Sequence, residues 1–302
     1  MITIANVGKK FGPIVALDGV TLAISPGERV AFVGANGSGK TTLLRALLGL
    51  VRFEGKITIG GSDVAREPEL ALGPVAYIPQ IAPPLEASVA EVVRAHAALR
   101  GHRPGATYER ASRLGLDVGA SGKKRFRDLS GGMRQKLLAA MALATDAPIL
   151  VCDEPTANLD GAARLAFFQQ LAERPPGGIV VLCSHRIEEV QKLVTRVVEL
   201  AEGRVVRDGP LAEMMRELKA FRVEIALSTG AARAEEFLVA HGFERCGKHR
   251  FGAELAQHEK VDLVSRLLAE HGNVLADLSI VPVDDLAAAV PRPRRRAEVV
   301  WS

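Results

Sequence analysis

Cysteine is scarce in this 302-residue chain. Cys152, Cys183 and Cys246 are odd in number and far apart, which excludes a disulfide framework and fits a reducing cytoplasm. Long apolar runs are also missing. None approaches the ~18 to 20 residues that a bilayer helix needs, and segment 1–12 has no apolar stretch behind a basic end, so the sequence reads as neither membrane-spanning nor secreted. Nor is there a strong surplus of one charge: 39 basic against 35 acidic side chains give +4, which need not form a patch. No internal repeat and no coiled-coil heptads are found. What is present is apolar material, 48% hydrophobic against 25% charged, enough to bury a sizeable core and to exclude both a disordered tail protein and a small stapled scaffold. At ~150 residues per domain, the length predicts about two domains.

The apolar spacing predicts half-buried strands at the start, where Ile2 and Ile4, then Val20, Leu22 and Ile24, alternate with small or polar residues. The apolar run 29–33 leads into a glycine-rich turn and then a helix carrying Leu43, Leu44, Leu47 and Leu48. Strand patterns follow at 56–59 and 75–78, and segment 88–116 predicts two short helices inserted between strands. From Leu129 the order is helix (133–144), buried strand (149–152), helix (162–172) and buried strand (179–183), which predicts a parallel α/β sheet covered on both faces. Past Phe221 the order becomes strand, helix, two short strands around Gly247, helix and strand, that of a ferredoxin-like α+β domain. Domains are therefore expected at 1–219 and 220–290, with a basic tail at 291–302.

Gly34-Ala35-Asn36-Gly37-Ser38-Gly39-Lys40-Thr41 fits a phosphate-binding loop: glycine, four residues, glycine, lysine and a hydroxyl residue, set between strand and helix. Glycines let backbone N–H groups approach phosphate oxygens, and the helix that follows turns its positive end to the anion. In this pattern Lys40 holds the β- and γ-phosphates and Thr41 ligates magnesium. The strand 149–152 runs into Asp153 and Glu154, placing Asp153 at the carboxyl end of a sheet strand to support magnesium and Glu154 to orient or deprotonate the attacking water.

These elements, together with Phe11, Gln80, Leu129-Ser130-Gly131-Gly132, the Ala157-Asn158-Leu159-Asp160 segment and Ser184-His185, stand in the order that resembles the ATP-binding cassette (ABC) ATPases over about 1–212. The resemblance implies an α/β P-loop NTPase cassette: a parallel core sheet, an antiparallel β subdomain and an inserted helical subdomain. It implies that Phe11 stacks on adenine, that Asn36, Gly37, Ser38 and Thr42 help hold ATP, and that Gln80 reaches Mg2+ and water while reporting to a membrane partner. Ser130, Gly131 and Gly132 would close on the γ-phosphate of a second subunit, His185 would contact that phosphate, and Asp160 would cross the seam. Simpler readings stay open: Phe11 as core, Gln80 as a polar strand end, Asp160 as a helix cap and His185 as a surface imidazole. Met133 stands where the family's signature commonly has glutamine, and it cannot donate that residue's hydrogen bonds.

The expected function is therefore the ATP-hydrolysing subunit of an ABC transporter, by family habit an exporter. It would work as a homodimer, or paired with a second ABC subunit, at the cytoplasmic face of the membrane beside a separate permease. Alternatives are a soluble ABC ATPase acting on nucleic acid or ribosomes, which having one cassette and no heptads disfavours, and a regulated ATPase linked to copper-enzyme maturation. Cys246 and His249, a Cys-x-x-His spacing, would suit metal in that last case, although no second ligand pair flanks them.

Overall fold

The computed structural model describes residues 1–184, 193–218 and 220–282. It divides into two compact units, Met1–Pro210 and Leu211–Ser302.

In the first unit, β1 (Ile2–Phe11) and β2 (Ile14–Ile24) pair antiparallel in the register Ile2↔Ile24 and Ile4↔Leu22. β4 (Glu54–Ile59) pairs on the other side of β1, and β5 (Ser62–Asp63) ends a sheet of order β2-β1-β4-β5. The period-two alternation works as expected, because Ile2, Ile4, Ile24, Ile57 and Ile59 all turn to one buried face. The second sheet, of order β10-β9-β3-β8-β7-β6, is built from β3 (Arg29–Val33), β6 (Val75–Ile78), β7 (Ile149–Asp153), β8 (Ile179–Cys183), β9 (Arg196–Ala201) and β10 (Arg204–Pro210). Its first five partners in the direction β6 to β9 are parallel, and β10 closes the edge antiparallel to β9. β7 and β8 are buried at every residue, which is why they read as continuous apolar runs.

Helix α1 (Lys40–Leu47) unites the two sheets. Leu43, Leu44 and Leu47 are fully buried in one cluster with Ile2, Ile4, Val30, Phe32 and Val151. Helix α2 (Pro68–Leu72) lies before β6, and between β6 and β7 the chain forms the inserted helices α3 (Val89–Arg100), α4 (Pro104–Arg113), α5 (Val118–Ser121) and α6 (Gly131–Leu143). α7 (Gly161–Ala172) then connects β7 to β8. Strands β3, β7 and β6 thus deliver the glycine-rich loop, Asp153-Glu154 and Gln80 to the same carboxyl edge of one sheet, where open α/β sheets bind ligands.

The second unit starts with α8 (Leu211–Leu218), which packs on elements of this unit, so the compact units divide earlier than the 219/220 boundary expected from sequence. It continues with β11 (Ala220–Leu227), α9 (Ala232–Ala240), β12 (Glu244–Arg245), β13 (Arg250–Ala256), α10 (Gln257–His271) and β14 (Leu275–Pro282). The sheet order β12-β13-β11-β14, antiparallel throughout, is the ferredoxin-like arrangement. Val223, Ile225, Leu238, Phe251 and Leu267 form its own core.

The tail 291–302 lies outside the described residues.

Candidate nucleotide site

The loop between β3 and α1 is shaped by crowding as much as by any ligand. A Cβ on Gly34 (φ 141°) would sit 2.2 Å from the Leu200 carbonyl oxygen, and one on Gly39 (φ 106°) 2.6 Å from that of Ala16. Gly37 (φ 83°) has nothing within 4 Å of such an atom, so only its backbone conformation asks for glycine. The turn at Gly203 supports the loop from below: its N–H donates to the Ser38 carbonyl at 3.0 Å, and its own carbonyl accepts from the Asp18 N–H at 2.9 Å.

Lys40 is buried, and its ammonium donates to the carbonyls of Gly34 (2.7 Å) and Ala35 (2.9 Å) and, at 3.4 Å, to Ser38 Oγ. The cation is thus held over the loop with all three donors directed. Thr41 Oγ1 donates to Asp153 Oδ1 at 3.3 Å, joining the first turn of α1 to the end of β7. Asp153 is 2% exposed. Burial raises its carboxyl above the usual value and Glu154 adds to this, while the Thr41 bond, Arg45 and Lys40 pull it back down.

Glu154 adopts φ 46°, a left-handed conformation that a residue with a side chain rarely takes. Its N–H donates to the Cys183 carbonyl at 3.1 Å, so the strain is held by the neighbouring strand. Glu154 and Gln80 line one cleft of about 240 Å³ together with Lys40, Thr41, Thr42, Gly37, Gly39 and Asn36. Asp153 lies behind this lining through its bond to Thr41.

Sequence reasoning missed the cleft's other wall, Ile14, Val15 and Ala16 of β2. Ile14 is 67% exposed, and its signal was the Gly12-Pro13 turn that returns the chain beside the loop. Phe11 pairs with Ile14 across that turn but stands outside the cleft lining. It is exposed, with Lys9 Nζ 4.8 Å from its ring centroid, which rules out the reading of Phe11 as core.

Ser130, Gly131 and Gly132 open α6 and do not line this cleft. Ser130 Oγ caps the helix by accepting from the Met133 N–H at 3.2 Å, and the exposed Gly131 has open space about it. Gly132 abuts the Asn158 carbonyl, 3.0 Å from where a Cβ would be. Asp160 caps α7 through the Ala163 N–H at 2.8 Å and pairs with Lys136 at 2.7 Å, so the helix-cap reading holds. His185 lies outside the described residues.

Cys152 and Cys183 are buried and their thiols pushed well up by burial, as apolar fillers would be. Cys246 and His249 do not converge: Cys246 Sγ lies against Gly252 on the sheet face that carries Glu224, whereas His249 Nδ1 faces Glu235 of α9 at 3.6 Å. Among the described residues no three His, Cys, Asp or Glu side chains form a metal group.

The chain matches the ABC transporter family over residues 17–157. It is 33% identical over 232 residues to the daunorubicin resistance ATP-binding protein DrrA3 of Streptomyces coeruleorubidus, covering 75% of this chain and 73% of that protein. It is also 33% identical, over 227 residues, to the phosphonates import ATP-binding protein PhnC 1 of Cupriavidus metallidurans, covering 67% and 79%. Among solved structures, the dimeric post-hydrolysis state of the ATP-binding cassette MJ0796 with ADP and Pi superposes with a TM-score of 0.61 at 28% identity, covering 70% of this chain and 99% of that one.

Proposed function

This chain belongs to the ABC transporter family as an ATP-binding, ATP-hydrolysing subunit, and from that premise we propose that two copies close on two ATP molecules and drive a separate membrane subunit in export. The observation that carries this reading is the cleft in which Lys40, Thr41, Gln80 and Glu154 meet, with Asp153 bonded behind Thr41. Lys40 and the N–H groups of residues 34–41 bind the phosphates. Glu154 takes a proton from the water that attacks the γ-phosphorus, the bond to the bridging oxygen breaks, and ADP leaves with phosphate.

The donor set at Thr41 and Asp153 fits Mg2+, since both offer hard oxygen atoms and a cation would relieve the burial that disfavours the Asp153 charge. Gln80 is the third candidate ligand. When bound, the ion would supply positive charge to offset the negative charge of the phosphates. Ser130, Gly131 and Gly132 complete the site on the partner copy, in line with the dimeric form of the similar MJ0796 cassette, and Asp160 lies along the same seam. His185 and Phe11 are assigned the γ-phosphate and the adenine ring.

No helix among the described residues is long and apolar enough to cross a membrane, so the partner provides the passage. Its docking segment begins at Gln80: Ile81 is 77% exposed, Leu85 is exposed beside it, and Leu99 on α3 is 85% exposed. Export is favoured by the α+β extension after the cassette and by the resistance function named for the Streptomyces relative, against the import named for the Cupriavidus one.

Glu154→Gln tests the site. Turnover should fall by about 10²-fold or more while ATP now accumulates in a stable dimer, read by phosphate release and by gel filtration with ATP. Unchanged turnover removes Glu154 from the chemistry.

A further inference from the structure

Gln135 is a polar residue buried where nothing in the nucleotide cleft requires it. It lies in the second turn of α6, is 1% exposed, and donates through Nε2 to two carbonyl oxygens, Pro79 O at 3.3 Å and Pro155 O at 3.2 Å. A primary amide has two N–H donors, so both are used. Each acceptor is placed at a functional junction. Pro79 immediately precedes Gln80 at the end of β6, and Pro155 immediately follows Glu154 at the end of β7.

The second junction is the strained one. A left-handed glutamate persists only where its surroundings over-determine the backbone. Two main-chain bonds hold Glu154, its N–H to Cys183 O at 3.1 Å and its carbonyl from the Ala157 N–H at 3.2 Å. Gln135 adds a third restraint from another element, on the very next carbonyl. Both prolines have fixed φ, so pinning their carbonyls leaves the adjoining residues little freedom.

We propose that Gln135 is a positioning residue for ATP hydrolysis: its single carboxamide ties the peptide that aims Glu154 to the peptide that aims Gln80, and ties both to the helix that Ser130 begins. The inference rests on Glu154 and Gln80 acting at the terminal phosphate as proposed above. A displacement of α6 is thereby passed to both cleft residues through one side chain.

The test uses the full chain with two variants of equal length. Gln135→Met removes both donors. Gln135→Glu keeps one donor, and only while its carboxyl is protonated. For Gln135→Met, kcat for ATP should drop about tenfold or more while KM and nucleotide affinity stay within about twofold, because the Lys40 loop is untouched. Gln135→Glu should lie between Met and the parent chain, with kcat falling as pH rises from about 6 to 8, since an ionised carboxylate facing two carbonyl oxygens has nothing to donate. Unchanged kcat in Gln135→Met overturns the proposal, as does a loss in which KM, kcat and thermal midpoint decline together. Should Gln135→Met fail to fold, the pH profile of Gln135→Glu decides alone, and a profile parallel to the parent's overturns it. Glu154→Gln is run alongside: if it keeps turnover, the hydrolytic reading itself fails, whereas an inactive Glu154→Gln beside a normal Gln135→Met removes only Gln135.

Discussion

Glycine in the phosphate loop serves two separate needs, and the residue positions tell them apart. Gly34 and Gly39 are close to protein carbonyls, at 2.2 and 2.6 Å from where a side-chain carbon would be, so these two are required by packing before any phosphate arrives. Gly37 lies in the cleft wall with open space around it and is required only by its positive φ. Alanine substitutions should therefore separate. Gly34→Ala must move the Leu200 carbonyl or distort the loop, at a stability cost on the order of 3 kcal/mol, combining overpacking and strain. Gly37→Ala should cost about 1 kcal/mol, the left-handed penalty alone. Urea unfolding of the two variants without nucleotide checks the order. A larger loss for Gly37→Ala would mean that the loop is shaped mainly by its ligand.

At the scale of elements, the parts readable in the sequence were those whose environment repeats along the chain. β7 and β8 are apolar at consecutive positions because both faces are covered, and β1 alternates because one face is. β9 and β10 were missed because their charges look like loop. Arg196 in fact spans from β9 to Glu28 at 3.1 Å and Asp208 at 2.7 Å, and only the folded sheet reveals that pairing. Gln135 was missed for the same reason: a polar residue in a helix shows no partner until two strand ends meet it. The junction of α3 and α4 hides another such contact. His102 Nδ1 lies 3.1 Å from the Arg103 carbonyl, and its Nε2 lies 3.2 Å from His96 Nδ1. Burial, with the charges of His102 and Arg100, pushes His96 down to about 4. Its folded pKa lies below the unfolded value near 6.5, so the unfolded chain binds more protons between these limits. Stability from this contact is present above about pH 6.5 and is lost as pH falls toward 4. After discounting for the ring's partial contact with solvent, the loss should be about 1 kcal/mol. His96→Gln should flatten the decline in urea midpoint between pH 7 and 4.5, and an identical slope in both proteins would deny the pair that role.

For the whole molecule, each of the two units has its own core, and the first encloses every described residue assigned to the nucleotide. Where the chain is cut should therefore matter more than how much is removed. Ending it at residue 210 keeps β9 paired with β3 in the register Val30↔Arg196 to Val33↔Glu199, keeps Leu200 against Gly34, and keeps Gly203 bonded to Ser38. That fragment should unfold cooperatively and bind ATP much as the full chain does. Ending it at residue 195 removes only β9 and β10 more, yet it strips one edge of β3, leaving a row of unpaired backbone groups beside the loop, and withdraws the turn that carries Ser38. The shorter fragment should aggregate or bind nucleotide poorly, as calorimetric titration and gel filtration of both fragments would reveal. If the 1–210 fragment folds but cannot bind ATP, the second unit contributes to the nucleotide site. Equal binding by the two fragments would instead mean that the β9–β10 hairpin does not support the loop.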